Sequence, residues 1–567
     1  MTRVTFFSLL LMKRIILLVV AAAYAANAEI VPPDRRITWN PGIPGGIPTY
    51  PVGINAKDPP YNAKGDGVAD DTSAIQVALN ACQTNKAILL PAGTYKISSL
   101  LNVRTRTALR GEGPSRTIIK NTRGGDAIEM RTVQTTDVRS SITAGATKGS
   151  KTITLSNADD FSVGQYVTVN MLNDDSLVSI DDCRWCSSGD DGARAMQQIV
   201  KITDKNGNDL TISPGLYLDF YNSPQVFRFL SETPLQWAGV ENLKIQNTTE
   251  GLGNLISMRG VVYCWVNDCE LYNLHENGVY LLRSYGCEVR RNYIHHGTSY
   301  TSGRSYGILG TWGPSDCLIE DNIFYYLRHS MVLEGGGAGN VFGYNHSTRM
   351  FDDYYPNTDW LMGDMLLHGA HPMMNLYEGN VVGALLFDSI HGSASHNTAF
   401  RNHIVGEGQG LDRTIIRRLY PVAVEKANYY VNLVGNIFGL PGQTGLYETN
   451  NVPNDTTRIV YHLGYDAGNI VGTTADPKVK ATLLRHGNYD YITQLTHWDA
   501  DIPDHQLPNS YYLAGKPRWW GNQPWPAIGP DVPGYVSPIP AKARFDQLLS
   551  LKLPAPPTNL RIISTSP

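Results

Sequence analysis

The chain has 567 residues, of which 17% are charged, and its formal net charge is −4 at pH 7. This mild acidity disfavours nucleic acid as a partner, because proteins that bind phosphate backbones carry a basic surface. The 54 glycines and 31 tyrosines indicate an all-β protein rather than a helical one. Two or three compact domains are expected at this length, unless the core grows along a single axis.

The first 28 residues are predicted to be a secretory signal peptide. Lys13 and Arg14 precede an apolar stretch that runs from Ile15 to Ala26, and we expect cleavage after Ala28. The stretch is too short to span a membrane, and no later stretch is apolar enough to do so. We therefore expect a secreted protein that is free of the membrane after cleavage.

Residues 29–60 are rich in proline and glycine and are predicted to form an extended arm. Asp66, Asp70 and Asp71 come next and are interpreted as turn and helix-cap residues. One apolar helical face follows at the spacing i, i+3, i+4, i+7: Ile75, Ala78, Leu79 and Cys82. A buried strand is predicted within residues 87–95.

The run from Gly65 to Tyr95 resembles the entry segment of pectate-lyase-like right-handed parallel β-helix proteins. That superfamily includes pectate lyases, polygalacturonase-like hydrolases and tailspike-type depolymerases. The resemblance implies that the helix caps a solenoid and that the protein is an extracellular enzyme acting on polysaccharides. Catalytic motifs do not carry over, because residues 351–353 and 390–392 are only fragments of the polygalacturonase set.

An inserted small β subdomain is predicted between about residues 140 and 220. Four runs there alternate apolar and polar residues, as in an antiparallel sheet with one solvated face: 152–155, 166–169, 198–202 and 210–212. A loop at its tip carries Cys183 and Cys186. Export favours a local disulfide between them over a zinc half-site.

From Val240 to Gly439 an asparagine ends one short apolar run after another, at intervals of 19 to 35 residues. These asparagines are Asn247, Asn273, Asn292, Asn322, Asn345, Asn380, Asn402 and Asn436. Such a period is typical of a solenoid, in which each coil buries its apolar face against its neighbours. Asparagine suits the corner because it tolerates the left-handed conformation and can hydrogen bond the amide one coil away. Cys287 and Cys317 each precede a corner asparagine by five residues and are predicted to point inward.

The predicted fold is therefore all-β: a right-handed parallel β-helix over residues 61–439, with an N-terminal capping helix and the inserted β subdomain. Residues 440–553 are predicted to cover the C-terminal end of the solenoid, because an open end invites strand addition. Residues 554–567 are interpreted as a tail. We expect a monomer.

Five strands that follow corner asparagines can be aligned: 279–282, 307–310, 331–334, 365–368 and 385–388. The alignment predicts one inward row, Leu281, Leu309, Leu333, Leu367 and Phe387. The outward column is then Leu282, Gly310, Glu334, His368 and Asp388. Glu334, His368 and Asp388 are the candidate catalytic residues.

The spacing of the two carboxyl groups favours one mechanism. Coils lie about 4.8 Å apart, so Glu334 and Asp388 are expected roughly 10 Å apart at the backbone. Inverting glycosidases hold their carboxyl groups about 6.5–9.5 Å apart to admit water, and retaining ones about 5 Å. An inverting glycoside hydrolase, which requires no cofactor, is therefore the leading hypothesis. His368 between the two carboxyl groups is expected to shift their pKa values.

Two alternatives stay open. One is a pectate-type lyase that cleaves uronate polymers by β-elimination, with calcium or Arg401 neutralising the carboxylate. Its base would be His368 or a nearby tyrosine. The other is a non-catalytic carbohydrate-binding or adhesion solenoid.

Residues around the column are candidates for substrate binding. Tyr354 and Trp360, on a long insertion, are predicted to stack on sugar rings or to pack within their own loop. Asp364, His371 and His391 are candidate polar contacts, with scaffold hydrogen bonding as the alternative.

The same region offers charged candidates. Asp352, Asp353 and Asp359 are possible oxygen ligands for calcium, or turn caps. Arg401 is a candidate clamp for a uronate carboxylate.

Overall fold

A computed structural model describes residues 30–133, 137–179, 187–189, 192–228, 233–353, 357–408, 413–450, 456–465 and 475–552. The predicted signal peptide, Cys183, Cys186, Tyr354 and the predicted tail lie outside these residues. Within them the chain winds into a solenoid with three parallel sheets, an inserted β-barrel and few helices. The predicted fold class, a parallel β-helix with an inserted β subdomain, is confirmed.

Sheet 1 has twelve strands in the described part of the chain: Val52–Asn55, Lys86–Leu90, Thr107–Gly111, Gly239–Glu241, Trp265–Asn267, Glu288–Arg290, Leu318–Glu320, Val341–Gly343, Leu376–Glu378, Thr398–Phe400, Asn432–Val434 and Leu484–His486. Sheet 2 has thirteen over the same residues: Asp66–Asp70, Gly93–Ile97, Thr117–Asn121, Lys244–Asn247, Glu270–Leu274, Tyr293–Gly297, Ile323–Leu327, His346–Met350, Val381–Val382, His403–Ile404, Ile437–Phe438, Asn488–Asp490 and Leu495–His497.

Sheet 3 has eleven strands in the described ranges: Leu101–Asn102, Ile128–Arg131, Ile256–Arg259, Asn277–Leu282, Tyr306–Thr311, His329–Glu334, Met365–Leu367, Leu385–Phe387, Val422–Val424, Leu446–Thr449 and Ile459–Leu463. The helices are α1 (Thr72–Ala81), α2 (Pro477–Thr482) and α3 (Pro540–Lys552), with 3-10 turns at Pro33–Arg35, Asn357–Asp359 and Arg518–Trp520. No helix among the described residues is long and apolar enough to cross a membrane.

The three sheets enclose one long apolar core. The predicted apolar face of α1 is buried in this core, and Cys287 and Cys317 point into it as expected. Leu281, Leu333, Leu367 and Phe387 also lie in the core, as the alternation along the strands predicted.

A ladder of asparagines follows the corner between sheets 1 and 2: Asn292, Asn322, Asn345, Asn380, Asn402, Asn436 and Asn488. Each side-chain amide donates to the side-chain oxygen of the next, with N–O distances of 2.9–3.0 Å. Two details of the prediction are wrong. Asn247 and Asn273 lie in sheet-2 strands outside this ladder, and Asn247 bonds Asn121 instead. The left-handed residue is the one before each ladder asparagine, such as Arg291 (φ 57°), because its turn places the amide inside the corner.

The inserted subdomain is antiparallel, and its strands alternate buried and exposed residues as predicted, but the sheet closes into a barrel. Its strands are Val138–Ala144, Thr152–Leu155, Tyr166–Asn170, Gln197–Asn206, Asp209–Ser213 and Gln225–Arg228, with a separate pair at Ser187–Gly189 and Gly192–Arg194. The barrel core includes Met373 and Met374 of the coils. Because the amide of Gln197 also donates to the Gly335 carbonyl at 3.2 Å, the barrel is fixed beside sheet 3.

Two segments cover the outer faces of sheets 1 and 2. Residues 30–51 lie along sheet 1, where the Trp39 indole donates to the Met374 carbonyl at 2.7 Å. Residues 498–552 lie along both sheets, with Leu507 on sheet 1 and Trp520 on sheet 2. Neither segment joins the apolar clusters on the outer face of sheet 3 in the described part of the chain.

Three predicted boundaries differ from the structure. Val52–Asn55, inside the predicted arm, is the first strand of sheet 1. The coils continue past residue 439, because Leu484–His486 and Asn488–Asp490 extend sheets 1 and 2. Residues 498–552 lie along the sides of the solenoid rather than over its end, because their aromatic residues pack on the outward apolar side chains of sheets 1 and 2.

Candidate functional site

A column of polar side chains runs along the outer face of sheet 3. Thr311 is in register with Glu334, and Leu333, Leu367, Phe387 and Val424 are in register on four successive coils. The column consists of Thr311, Glu334, His368, Asp388 and Glu425. Each of the last four directly follows one of those apolar residues in the chain. The structure thus brings the three predicted catalytic residues onto neighbouring coils.

The alignment of the 307–310 strand is wrong by one residue. Thr311, not Gly310, stands beside Glu334, and Leu309 faces outward beside Val332. The cause is the missing side chain of Gly310. A Cβ atom on this glycine would lie 2.8 Å from Leu333, whose side chain fills the inward space.

His368 and Asp388 form an ion pair between the imidazole Nδ1 and the carboxylate Oδ2. The other carboxylate oxygen accepts the backbone N–H of Ile390 at 3.3 Å. Burial alone would lower the pKa of His368, but Asp388 and, less strongly, Glu334 outweigh it and raise this pKa to about 8. The His391 ring packs edge-on against His368, with ring centroids 4.8 Å apart, so this predicted residue also lies at the site.

Glu334 is a buried carboxyl without a bonding partner. It is 6% exposed, and its side chain makes no hydrogen bond or ion pair with any described residue. Burial, together with the charge of Asp388, raises its pKa to about 7, although His368 and Arg328 act in the opposite direction.

Five other described carboxyl groups also have a pKa raised to about 7 by burial: Asp316, Glu320, Asp364, Glu378 and Glu425. Each of these accepts hydrogen bonds, from the Tyr217 hydroxyl, the Tyr512 hydroxyl, the Gly383 amide, the Tyr344 hydroxyl and the Ser389 amide respectively. A buried polar group without a partner costs about 1–3 kcal/mol. Glu334 is therefore the carboxyl of this set whose side chain accepts no hydrogen bond from a described residue, which leaves it open to a donor from water or from a bound ligand.

Glu425 was missed by the sequence analysis. Its carboxylate accepts from the backbone N–H and the hydroxyl of Ser389 at 2.9 and 3.1 Å. A signal was present, because residues 422–425 repeat the pattern of three apolar residues and one polar residue found at 331–334 and 365–368. The long insertion after Asp388 hid this repeat.

The predicted calcium ligands are dispersed and paired with arginines. Arg328 donates to Asp352 at 3.0 Å, Arg413 to Asp353 at 2.9 Å, and Arg417 to Asp359 at 2.7 Å. No group of three metal-binding side chains is found in the part of the chain that the structure describes. These carboxylates do not fit a calcium site, because their charge is already balanced by arginines far away in sequence.

Three predicted binding residues serve the scaffold. Arg401 is 2% exposed and donates to Asp531 and to the carbonyls of residues 507, 508 and 528, away from sheet 3. His371 is buried against the Ser395 hydroxyl at 2.8 Å, and burial lowers its pKa to about 4. The Asp364 carboxylate is buried and accepts the amides of residues 383 and 384.

The Trp360 ring is in contact with two arginines. The guanidinium carbon of Arg418 lies 3.7 Å from the centre of its ring, and that of Arg417 lies 5.4 Å away. The Trp360 ring thus packs against a segment distant in the chain, and neither packing within its own loop nor stacking on a sugar is what these contacts show.

Known proteins resemble this chain in sequence and in structure. Residues 53–298 match the family described as rhamnogalacturonase A/epimerase, pectate lyase-like. Mannuronan C5-epimerases AlgE5 and AlgE2 of Azotobacter vinelandii are each 37% identical over 81 residues, which are 13% of this chain and 8% of theirs. The match thus spans less than a tenth of these curated relatives.

Solved structures include the tailspike protein gp49 from Pseudomonas phage LKA1, with a TM-score of 0.49 and 15% identity over 70% of this chain and 77% of that one. The A-module of mannuronan C-5 epimerase AlgE6 from Azotobacter vinelandii has a TM-score of 0.34 and 12% identity over 73% and 97% of the two chains. The chain thus has a three-sheet parallel coil and is similar, over residues 53–298, to the pectate-lyase-like proteins.

Proposed function

We propose that the protein hydrolyses a polysaccharide on the outer face of sheet 3, with inversion at the anomeric carbon. The observation that carries this proposal is the Glu334 carboxyl, which is buried, unpartnered and half protonated near pH 7. A general acid needs such a raised pKa to hold a proton at neutral pH.

Each group in the column has a role in this reaction. Glu334 gives its proton to the glycosidic oxygen as the bond to the anomeric carbon breaks. Asp388, which is paired with His368, takes a proton from the water that attacks the opposite face of the sugar. The products are two shorter chains, and both carboxyl groups then exchange protons with solvent.

The register supports inversion. Glu334 and Asp388 are two coils apart, which is roughly 10 Å at the backbone and leaves room for a water between the carboxyl groups. Asp388 and Glu425 are one coil apart and have the shorter spacing of a retaining pair. Glu425 is bonded to Ser389, however, whereas Glu334 is free to meet a substrate.

Product stereochemistry tests the proposal. Proton NMR of the first sugar released will show the anomer opposite to that of the cleaved linkage. A retained anomer would move the reaction to the Asp388–Glu425 pair. Glu334→Gln and Asp388→Asn are each expected to lower cleavage about 100-fold or more, and Glu378→Gln is the matched control. Glu378 is also buried and has a pKa raised to about 7, but it lies in sheet 1.

A second candidate reaction is proton abstraction from C5 of a uronate, leading to elimination or epimerisation. The His368–Asp388 pair favours it, because a carboxylate that binds Nδ1 orients an imidazole as a base. The local similarity to proteins named mannuronan C5-epimerases supports it as well.

The two candidates differ in three readouts. Elimination gives an ultraviolet-absorbing unsaturated end, epimerisation incorporates deuterium from heavy water, and hydrolysis does neither. Their pH dependence is also opposite. Hydrolysis needs protonated Glu334 and falls as pH rises through about 7, whereas a neutral His368 base gains activity as pH rises through about 8.

A further inference from the structure

Thr311 stands next to Glu334 in the column on the outer face of sheet 3. The two residues are paired in register on neighbouring strands, so their backbones lie about 4.8 Å apart. Thr311 is the last residue of its strand, and its carbonyl accepts the Arg283 amide of the preceding coil at 3.2 Å. The position of its side chain beside Glu334 is thus fixed by both neighbouring coils.

The Thr311 hydroxyl is buried and makes no hydrogen bond to a described residue. Thr311 is 2% exposed, and in the described part of the chain its Oγ1 is the one buried serine or threonine hydroxyl without a partner. The buried Thr107, by contrast, donates to the Arg104 carbonyl at 2.7 Å. A threonine hydroxyl rotates to reach a nearby acceptor, and leaving it unpaired in the interior is unfavourable.

The two neighbouring groups without partners belong to one site. The Glu334 carboxyl and the Thr311 hydroxyl both point outward from sheet 3, and neither bonds the other or another described residue. A molecule that reaches the Glu334 carboxyl therefore also meets a hydroxyl that can donate one hydrogen bond and accept others. Leu282, half-buried and in register with Thr311 on the preceding coil, adds an apolar surface beside this hydroxyl.

The order of the column assigns Thr311 to one side of the cleaved bond. In the proposed hydrolysis Glu334 protonates the glycosidic oxygen, and Asp388, two coils further along, activates the water at the anomeric carbon. The sugar that leaves carries the protonated oxygen, and it lies on the side of Glu334 away from Asp388. Thr311 is the next member of the column on that side.

We propose that Thr311 binds a free hydroxyl of the leaving sugar, on the ring carbon next to the one that bears the glycosidic oxygen. Two oxygens on neighbouring ring carbons lie close together, so one sugar can place the first at Glu334 and the second at Thr311. This inference rests on the proposed hydrolysis. It makes the substrate a polysaccharide linked through a ring carbon of the leaving sugar and unsubstituted at the neighbouring hydroxyl.

Steady-state kinetics on two substrates test the inference. The first is the polysaccharide that the wild type cleaves among polygalacturonate, alginate and xylan. The second is the 4-nitrophenyl glycoside of the released oligosaccharide, with the anomeric configuration of the cleaved linkage. Its leaving group is nitrophenol, which offers Thr311 no sugar hydroxyl. Thr311→Val is expected to lower kcat/KM about tenfold on the polysaccharide, a loss of about 1.4 kcal/mol, and to leave the nitrophenyl glycoside unaffected.

Stability separates a hydroxyl that binds substrate from one that serves the fold. Thr311→Val should leave the melting temperature unchanged or raise it, because the hydroxyl has no partner among the described residues. The matched control is Thr107→Val in sheet 1, which removes a bonded hydroxyl and should lower the melting temperature while kcat/KM stays unchanged. Thr311→Ser keeps the hydroxyl and is expected to retain most of the cleavage of the polysaccharide.

The inference is overturned if Thr311→Val cleaves the polysaccharide like the wild type, or if it loses as much on the nitrophenyl glycoside. A melting temperature that falls as that of Thr107→Val does would also overturn it. It fails separately from the proposed function, because wild-type cleavage that Thr311→Val keeps in full removes the hydroxyl contact and leaves the hydrolase intact. Full cleavage by Glu334→Gln, or no cleavage of the three polysaccharides by the wild type, overturns the proposed function and this inference together.

Discussion

Replacing Glu334 by glutamine removes a charge that the folded chain accommodates poorly. Its pKa rises from the ordinary 4.5 to about 7, and a rise of this size corresponds to about 3 kcal/mol. Because the folded pKa is the higher one, the stabilising contribution of the protonated carboxyl is complete below 4.5 and is lost as pH rises through about 7. Glutamine carries no such pH dependence.

The assay is urea unfolding of both proteins at about pH 5 and about pH 8, where the gain of Glu334→Gln over wild type is expected to differ by about 2 kcal/mol. Cleavage by the variant is expected to fall about 100-fold or more at either pH, as for loss of a general acid. A stability difference that does not change with pH would refute the buried, unpartnered state of Glu334. Full activity would refute its role.

Three further predictions concern other parts of the molecule. The kcat/KM of the wild type should fall as pH rises through about 7, because Glu334 must hold its proton, and a pH profile checks this. Arg401→Ala should lower the free energy of unfolding by about 3 kcal/mol, because the carbonyls of residues 507, 508 and 528 lose their donor, while kcat per folded molecule stays unchanged; a large loss of kcat would return Arg401 to the site. Asn345→Ala should cost about 2 kcal/mol, measured by thermal unfolding, because the Asn322 amide loses its acceptor; an unchanged melting temperature would refute the ladder's role.

The sequence predicts the parts of the site that depend on local periodicity. Alternation along a strand and the recurrence of the coils suffice to place Glu334, His368 and Asp388 on one face, and each lies at the end of an apolar run. At Gly310, which has no side chain, the alternation of apolar and polar residues does not show which residue faces inward, and the predicted alignment is shifted by one residue. Glu425 was not predicted as a member of the column, because a long insertion separates its strand from the strand of the preceding coil.

What the sequence does not predict are contacts between residues far apart in the chain. Asp352 and Asp353 suggested a metal site, yet their partners are Arg328 and Arg413, which only the folded loops bring within reach. Arg401 suggested a substrate clamp by its proximity in sequence to the column. In the structure the Arg401 side chain instead donates to Asp531 on the C-terminal segment.

The central claim is that Glu334 and Asp388 act in one reaction step across two coils. Kinetics of Glu334→Gln, Asp388→Asn and the double variant, on a polysaccharide that the wild type cleaves, test it most directly. The account predicts that each single change lowers kcat about 100-fold or more and that the double change adds little, because groups acting as a unit are not additive. Wild-type kcat in either single variant, or losses that simply multiply in the double, would contradict it.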